Sequence, residues 1–256
     1  MKQSNFSKLM VLTGRLLRLA TFNRPGLREV CGVALSTSEG VMDPETDVLS
    51  IPCRSLEALV AERSEPVNLA IRAFPQESYS ISLLEAMGLA VLMRRCQARR
   101  VFEFGTHRGV STSQLAANLP TDGMVFTLDL PDENRTTHFG IESLPGDLAV
   151  SKILTKGDLI PQELRGKVQR LSGDSALFDP APYAGTIDFV FVDAAHTTEY
   201  VANDTEKAWT MLRPGGIVAW HDCRPLTPDV VRYLRQCRFQ PQRIDGTTLA
   251  FATKPK

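Results

Sequence analysis

From Ser80 onward the chain alternates short apolar runs with helix-length segments, and this alternation narrows its possible folds more than any other feature. "RRVFEFG" (Arg99–Gly105), "GMVFTLDL" (Gly123–Leu130), "KVQRLSGD" (Lys167–Asp174), "IDFVFVDAA" (Ile187–Ala195) and "GIVAWHD" (Gly216–Asp222) read as strands. "VSTSQLAANL" (Val110–Leu119) and "EYVANDTEKAWTML" (Glu199–Leu212) read as helices, the second ended by "RPGG". "SISLLEAMGLAVLMRRCQ" is a helix ahead of the first strand, with Leu84, Met87 and Val91 on one face beside Leu83 and Ala90. After the last of these strands come a helix starting near Pro228 and a closing hairpin, "FQPQRIDG" with "TTLAFAT". The polar stretch from Pro131 to about Gly166 is expected to hold a helix and a loop, and its first part, Pro131–Asp147, has the length and polarity of a lid or a surface loop. Strands alternating with helices predict an α/β, Rossmann-like parallel sheet covered on both faces.

Residues 1 to about 65 lack the alternation, and Pro25, Gly26, Gly40, Pro44 and Pro52 divide them into short pieces. "SLEALVAE" (Ser55–Glu62) is a short helix with Ser55 as N-cap and Glu57 in its first turn. "FSKLMVLTGRLLRLATF" spaces Phe6, Leu9, Met10, Leu12, Leu16, Leu17 and Leu19 as in a helix, with Lys8, Arg15 and Arg18 between them. It lacks the long apolar run and cleavage site of a signal peptide. Docking on its own domain or on a twin subunit is expected, which favours a homodimer; weak contact with a membrane surface is the alternative. The organisation is therefore a helical N-terminal attachment over 1–79 and an α/β ligand-binding domain over 80–256. Acids and bases balance to a formal net charge of +0, so no basic field points to nucleic acid. Cys31, Cys53, Cys96, Cys223 and Cys237 form no CxxC pair, which removes a zinc signature and fits a cytoplasmic protein. No apolar run is long enough for a transmembrane segment.

Ligands of such sheets bind over the carboxyl ends of the strands. There the chain places "EFGTHRGVS" (Glu103–Ser111), Asp129, "GDS" (Gly173–Ser175), "DAAH" (Asp193–His196) and "HD" (His221–Asp222). Gly105 and Gly109 allow close backbone approach and positive φ. Their GxxxG spacing lacks the third glycine of a dinucleotide fingerprint, and Glu103 would repel a pyrophosphate but accept a hydrogen bond from water or an amino group. Asp129 can accept both hydroxyls of a ribose, and Asp174 can cap an adenine amino group. Together these suit an adenosine-containing ligand with a cationic amino-acid portion. Each acid alone also reads as a strand-end residue bonding loop amides.

These motifs resemble the class I S-adenosylmethionine-dependent methyltransferases: "EFGTHRGVS" their first motif, Asp129 their ribose acid, "GDS" their adenine-end motif and "LRPGG" their turn before the fifth strand. "FVDAAHTTEYVANDTEKAWTMLRPGGIVAWHDC" resembles a bacterial group with a DGxH loop and an HD pair, similar to sugar and natural-product O-methyltransferases. The resemblance covers about residues 80–253. The chain departs from that group at Ala194, where glycine is common, and at Cys223, where an aromatic residue often follows HD. The resemblance implies a seven-stranded sheet and S-adenosylmethionine as cofactor. Glu103, Phe104, Gly105, Thr106, Gly109, Ser111 and Asp193 would line its methionine side, Asp129 and Leu130 its ribose, and Asp174 with Ser175 its adenine end.

Methyl transfer to a hydroxyl requires near-attack alignment and removal of a proton. His196 is the candidate general base, with His221 as its rival and Asp222 beside them; His196 also reads as a cap for the helix that follows Thr197. Asp193 and Asp222 are candidate Mg²⁺ ligands, although His221 stands where a further acid would suit a hard cation. Asp204 reads as structural or solvated, His107 as shaping its loop, His138 as a surface histidine, and Trp209 and Trp220 as core or pocket-wall aromatics. The expected function is methylation, on oxygen, of a small molecule or glycan. The alternatives are a catalytically inactive cofactor-binding or scaffold protein of the same fold, and a nicotinamide-dependent oxidoreductase.

Overall fold

The computed structural model describes residues 44–62, 66–72, 79–131, 137–141, 147 and 156–256. The amphipathic segment around Phe6–Leu19 lies outside these residues, as do most of the positions between Pro131 and Lys156. In chain order the regular elements are β1 (Cys53–Arg54), α1 (Leu56–Ala61), α2 (Leu83–Arg95), β2 (Arg100–Phe104), α3 (Val110–Ala117), β3 (Met124–Asp129), β4 (Val168–Ser172), β5 (Ile187–Val192), α4 (Thr198–Met211), β6 (Leu212–Trp220), α5 (Pro228–Gln236), β7 (Gln242–Ile244) and β8 (Ala250–Thr253). Helix starts follow the capping chemistry of the sequence. Ser55 Oγ accepts from the Ala58 amide, and Thr197 Oγ1 from Tyr200. Ser82 and Glu85 form a reciprocal capping box at α2.

One sheet runs in the order β1-β7-β8-β6-β5-β2-β3-β4, with β8 antiparallel to both its neighbours and every other pair parallel. It has eight strands rather than seven because residues ahead of the α/β region supply β1 at its edge, on β7. The period of two sorts the strand residues onto two faces. Val101, Val125, Phe189, Phe191 and Ile217 pack with α2 and α3. Phe102, Phe126, Val190, Val218 and Trp220 pack with α4 and α5. β5 is buried at every position, as a central parallel strand must be.

"RPGG" does not separate helix from strand. β6 starts at Leu212, opposite Ile187, and its next partner pair is Ile217 with Phe189, so 213–216 bulge within the strand. Arg213 ties the bulge to Asp188, whose other oxygen takes the amides of Arg99 and Arg100 at 2.8 Å each.

Candidate functional site

The parallel strands deliver their carboxyl ends to one side of the sheet, where a cavity of about 620 Å³ opens. Among its walls are Gly105 after β2, Asp129 and Leu130 at the end of β3, Asp174 and Ser175 after β4, Asp193 and His196 after β5, and His221 and Asp222 after β6. The glycine loop is held against the sheet: the amide of Asp193 donates to Phe104 O at 2.9 Å, and that of Gly105 to Leu128 O at 2.8 Å. Gly105 has φ 96°, and a Cβ there would lie 1.9 Å from Asp193 O, so only glycine lets the β2 and β5 ends approach this closely.

Asp129 is gripped by main chain. Its Oδ2 accepts from the amides of Thr106 (3.1 Å) and His107 (2.7 Å), and its Oδ1 from Leu130 (2.7 Å) and from the Lys156 ammonium. Asp174 accepts from Tyr200 Oη at 3.0 Å, from the Ala176 amide at 2.9 Å and from the His138 amide at 2.7 Å. His138 is exposed, as the sequence suggests, and only its main-chain amide reaches Asp174. Burial and then the neighbouring Asp174 raise the Tyr200 phenol to about 12.

The opposite end is a cluster of imidazoles and carboxylates. His196 lies between two acids: Nδ1 is 2.6 Å from Asp147 Oδ1, and Nε2 is 2.8 Å from Asp222 Oδ2. Asp147 also accepts the His196 amide at 2.7 Å. His221 Nδ1 stands 3.0 Å from Asp193 and 3.4 Å from Asp222, with Nε2 3.5 Å from Glu85. Arg224 Nε lies 2.7 Å from Asp222 Oδ1. Asp222 has φ 55°, a sparsely populated state that turns the chain into the cluster as β6 ends. Burial works against charge on His196, but the carboxylates of Asp147 and Asp222 overcome it and raise the ring to about 10. His221 is likewise held well above its usual range against burial, by Asp193 and Asp222. Burial would raise Asp222, yet the two imidazoles hold its carboxyl well below the usual range.

The other sequence-derived positions lie behind this wall. Glu103 is fully buried beneath the loop, its Oε2 accepting from the hydroxyls of Thr112 (2.5 Å) and Thr127 (2.6 Å). Burial, opposed by those hydroxyls and by Ser111, raises its carboxyl to about 7. Phe104 packs among core aromatics, and Thr106 bonds Thr127 at 2.7 Å. Gly109, at φ 90°, is the N-cap of α3. Asp204 is buried without exposure, not solvated, and burial raises it to about 7. Trp220 is core, its Nε1 donating to Thr205 Oγ1 at 2.8 Å, and Trp209 stacks on Phe239. Sequence reasoning missed Glu85, Asp147, Lys156, Tyr200 and Arg224. Only Glu85 carried a signal, the Ser82-x-x-Glu85 spacing of a capping box.

Residues 102–223 match the family described as "Methyltransferase domain". Three solved structures align over most of their length. A Staphylococcus aureus protein, provisionally described as a caffeoyl-CoA O-methyltransferase, is 18% identical, covers 68% of this chain and 85% of its own, and superposes with a TM-score of 0.50. An O-methyltransferase from Bacillus cereus in complex with S-adenosylhomocysteine is 18% identical over 70% of this chain and 84% of its own, TM-score 0.48. One from Streptomyces achromogenes, in complex with S-adenosylmethionine, is 22% identical over 70% and 82%, TM-score 0.44. At this identity the Staphylococcus likeness is one of fold. Among the described residues no helix is long and apolar enough to cross a membrane.

Proposed function

We propose, from the premise that residues 102–223 are a class I methyltransferase domain, that this chain moves the methyl group of S-adenosylmethionine to a hydroxyl oxygen of a small molecule or glycan. One observation carries the reading: a single cavity joins the glycine loop and the strand-end acids Asp129 and Asp174 to the imidazole–carboxylate cluster after β5 and β6. The residues fit the cofactor. Gly105 keeps side chains off the loop, Asp129 lines the wall where ribose hydroxyls would lie, Asp174 offers oxygens to an amino group, and Asp193 offers one to a cationic amine. The loop's missing third glycine disfavours a nicotinamide dinucleotide. The cofactor supplies an electrophilic methyl group on a sulfonium.

This chain's residues must then align the acceptor and take its proton. His196 is the proposed proton acceptor, oriented through Nδ1 by Asp147, with Nε2 toward Asp222. The flanking carboxylates favour its protonated ring, so it accepts a proton only in the fraction of molecules whose ring has lost one. A second reading rests on a separate observation: one ligand atom each from Asp193, His196 and Asp222 lies within 4.8 Å of the others. Two carboxylates suit Mg²⁺, and the imidazole widens the fit to Mn²⁺. A cation there would supply positive charge beside the acceptor oxygen.

Isothermal titration with S-adenosylmethionine and S-adenosylhomocysteine, with Mg²⁺ and then with chelator, tests both readings. Saturable binding of both compounds is expected, and no binding by folded protein would sink the methyltransferase reading. Affinity that responds to Mg²⁺ would bring the second reading forward. Asp129→Ala should lose cofactor affinity, whereas His196→Ala should bind and fail to turn over.

A further inference from the structure

The turn that follows the polar insertion is built onto the glycine loop. The Gly157 amide donates to His107 O at 2.7 Å, and the Leu159 amide to Arg108 O at 2.9 Å. The Arg108 guanidinium forks onto Asp158 at 3.0 and 2.7 Å. Ile160 fills the space Gly109 leaves: a Cβ at 109 would meet Ile160 Cγ1 at 2.4 Å. These contacts carry Lys156 into the cavity with a side chain only 4% exposed.

Among the described residues its one partner is the Asp129 carboxylate. An ammonium has three donors, and among the described residues only one of them is engaged at the wall that Lys156 lines. Asp129 is the reverse case. Its two oxygens already take three main-chain amides and the ammonium, about the four acceptor positions a carboxylate offers. A hydroxyl brought to this acid therefore meets an ammonium with one donor engaged among the described residues and little spare acceptor capacity on Asp129.

We infer that Lys156 is the second half of the ribose subsite: held on Asp129, its ammonium donates a remaining N–H to a ribose hydroxyl oxygen. The inference rests on the adenosyl reading of the cavity. It assigns the insertion a binding role that neither the fold nor the glycine motif supplies.

Calorimetry on the full chain tests it with S-adenosylhomocysteine, with 5′-methylthioadenosine, which keeps the ribose but lacks the amino-acid portion, and with the 2′- and 3′-deoxy forms of the latter. The wild type should bind the first two and lose about tenfold or more on at least one deoxy form. Lys156→Met should weaken both ribose compounds alike by about tenfold and flatten that deoxy preference, and Lys156→Arg should restore part of it. Undiminished binding by a folded Lys156→Met variant would overturn the inference. So would a loss confined to S-adenosylhomocysteine, which would place Lys156 on the cofactor carboxylate instead. Should Lys156→Met not fold, a wild type indifferent to the ribose hydroxyls would still overturn it. A wild type that binds none of the compounds would remove the adenosyl reading itself.

Discussion

Glu103 is a carboxyl group with no exposure, and that burial, against its hydroxyl donors Thr112 and Thr127, favours its protonated form. Its folded value of about 7 stands above the ordinary 4.5, so the folded chain binds this proton more tightly than the unfolded one. The stability it confers is complete below about pH 4.5 and is lost as pH rises through 7, by about 3 kcal/mol. Glu103→Gln should leave chemical denaturation at pH 5 nearly unchanged and raise the midpoint at pH 8; equal effects at both values would refute the assignment. His196 also binds its proton more tightly when folded, so its contribution is complete below about pH 6.5 and fades as pH rises through about 10. Proton acceptance needs the opposite state. With chelator present, kcat limited by His196 should climb from pH 7 toward 10. Removing one flanking carboxylate by Asp147→Asn should move that climb lower by about one pH unit or more. A flat profile would exclude His196 as the acceptor.

At the scale of elements, Gly109 couples a helix start to a turn far along the chain. Alanine there must adopt φ 90° and also push Ile160 aside, costing about 2–5 kcal/mol from strain and overpacking together. Gly166, with nothing within 4 Å, is the matched control and should change the melting midpoint little as alanine. If Gly109→Ala melts like Gly166→Ala, the turn is not braced as described. The strands and most helices were legible because burial imposes periods of 2 and 3.6 on their residues, and the start of α1 because Ser55 caps a main-chain donor locally; the start of α4 was misplaced on His196, where Thr197 is the cap. "LRPGG" misled because a bulge keeps the pairing of a strand while using the residues of a turn. Asp129, Asp174, Asp193, His196, His221 and Asp222 were legible because a parallel sheet puts strand ends on one side. Asp147 and Lys156 were not: they come from a polar insertion without periodicity, and only tertiary contact brings them to His196 and Asp129.

The whole molecule depends on residues that precede the α/β region. Val48 and Ile51 are 5% and 3% exposed in the layer formed with α5, and Leu59 is fully buried in the opposite one. Pro52 O and Arg54 O accept the amides of Arg243 and Asp245 at 2.7 and 2.8 Å, closing the sheet edge. Ala70 and Arg72 each exchange a pair of hydrogen bonds with the side-chain amides of Asn118 and Gln114, which end and line α3. A chain starting at residue 80 would give up the burial of those three side chains, about 5–9 kcal/mol at the upper bound. It would also leave the buried amides of Gln114 and Asn118 without these partners. Against a total of about 5–15 kcal/mol for a typical domain, that loss is decisive. We therefore propose that 44–72 is part of the folding unit and that an attachment ending at 79 cannot be cut away. Measured against the full-length chain, one starting at 80 should aggregate or lose its near-ultraviolet dichroism. If the shorter chain melted like the longer one and bound S-adenosylhomocysteine equally, the segment would be an accessory. The brace on α3, and through it on the glycine loop, would then have no energetic weight.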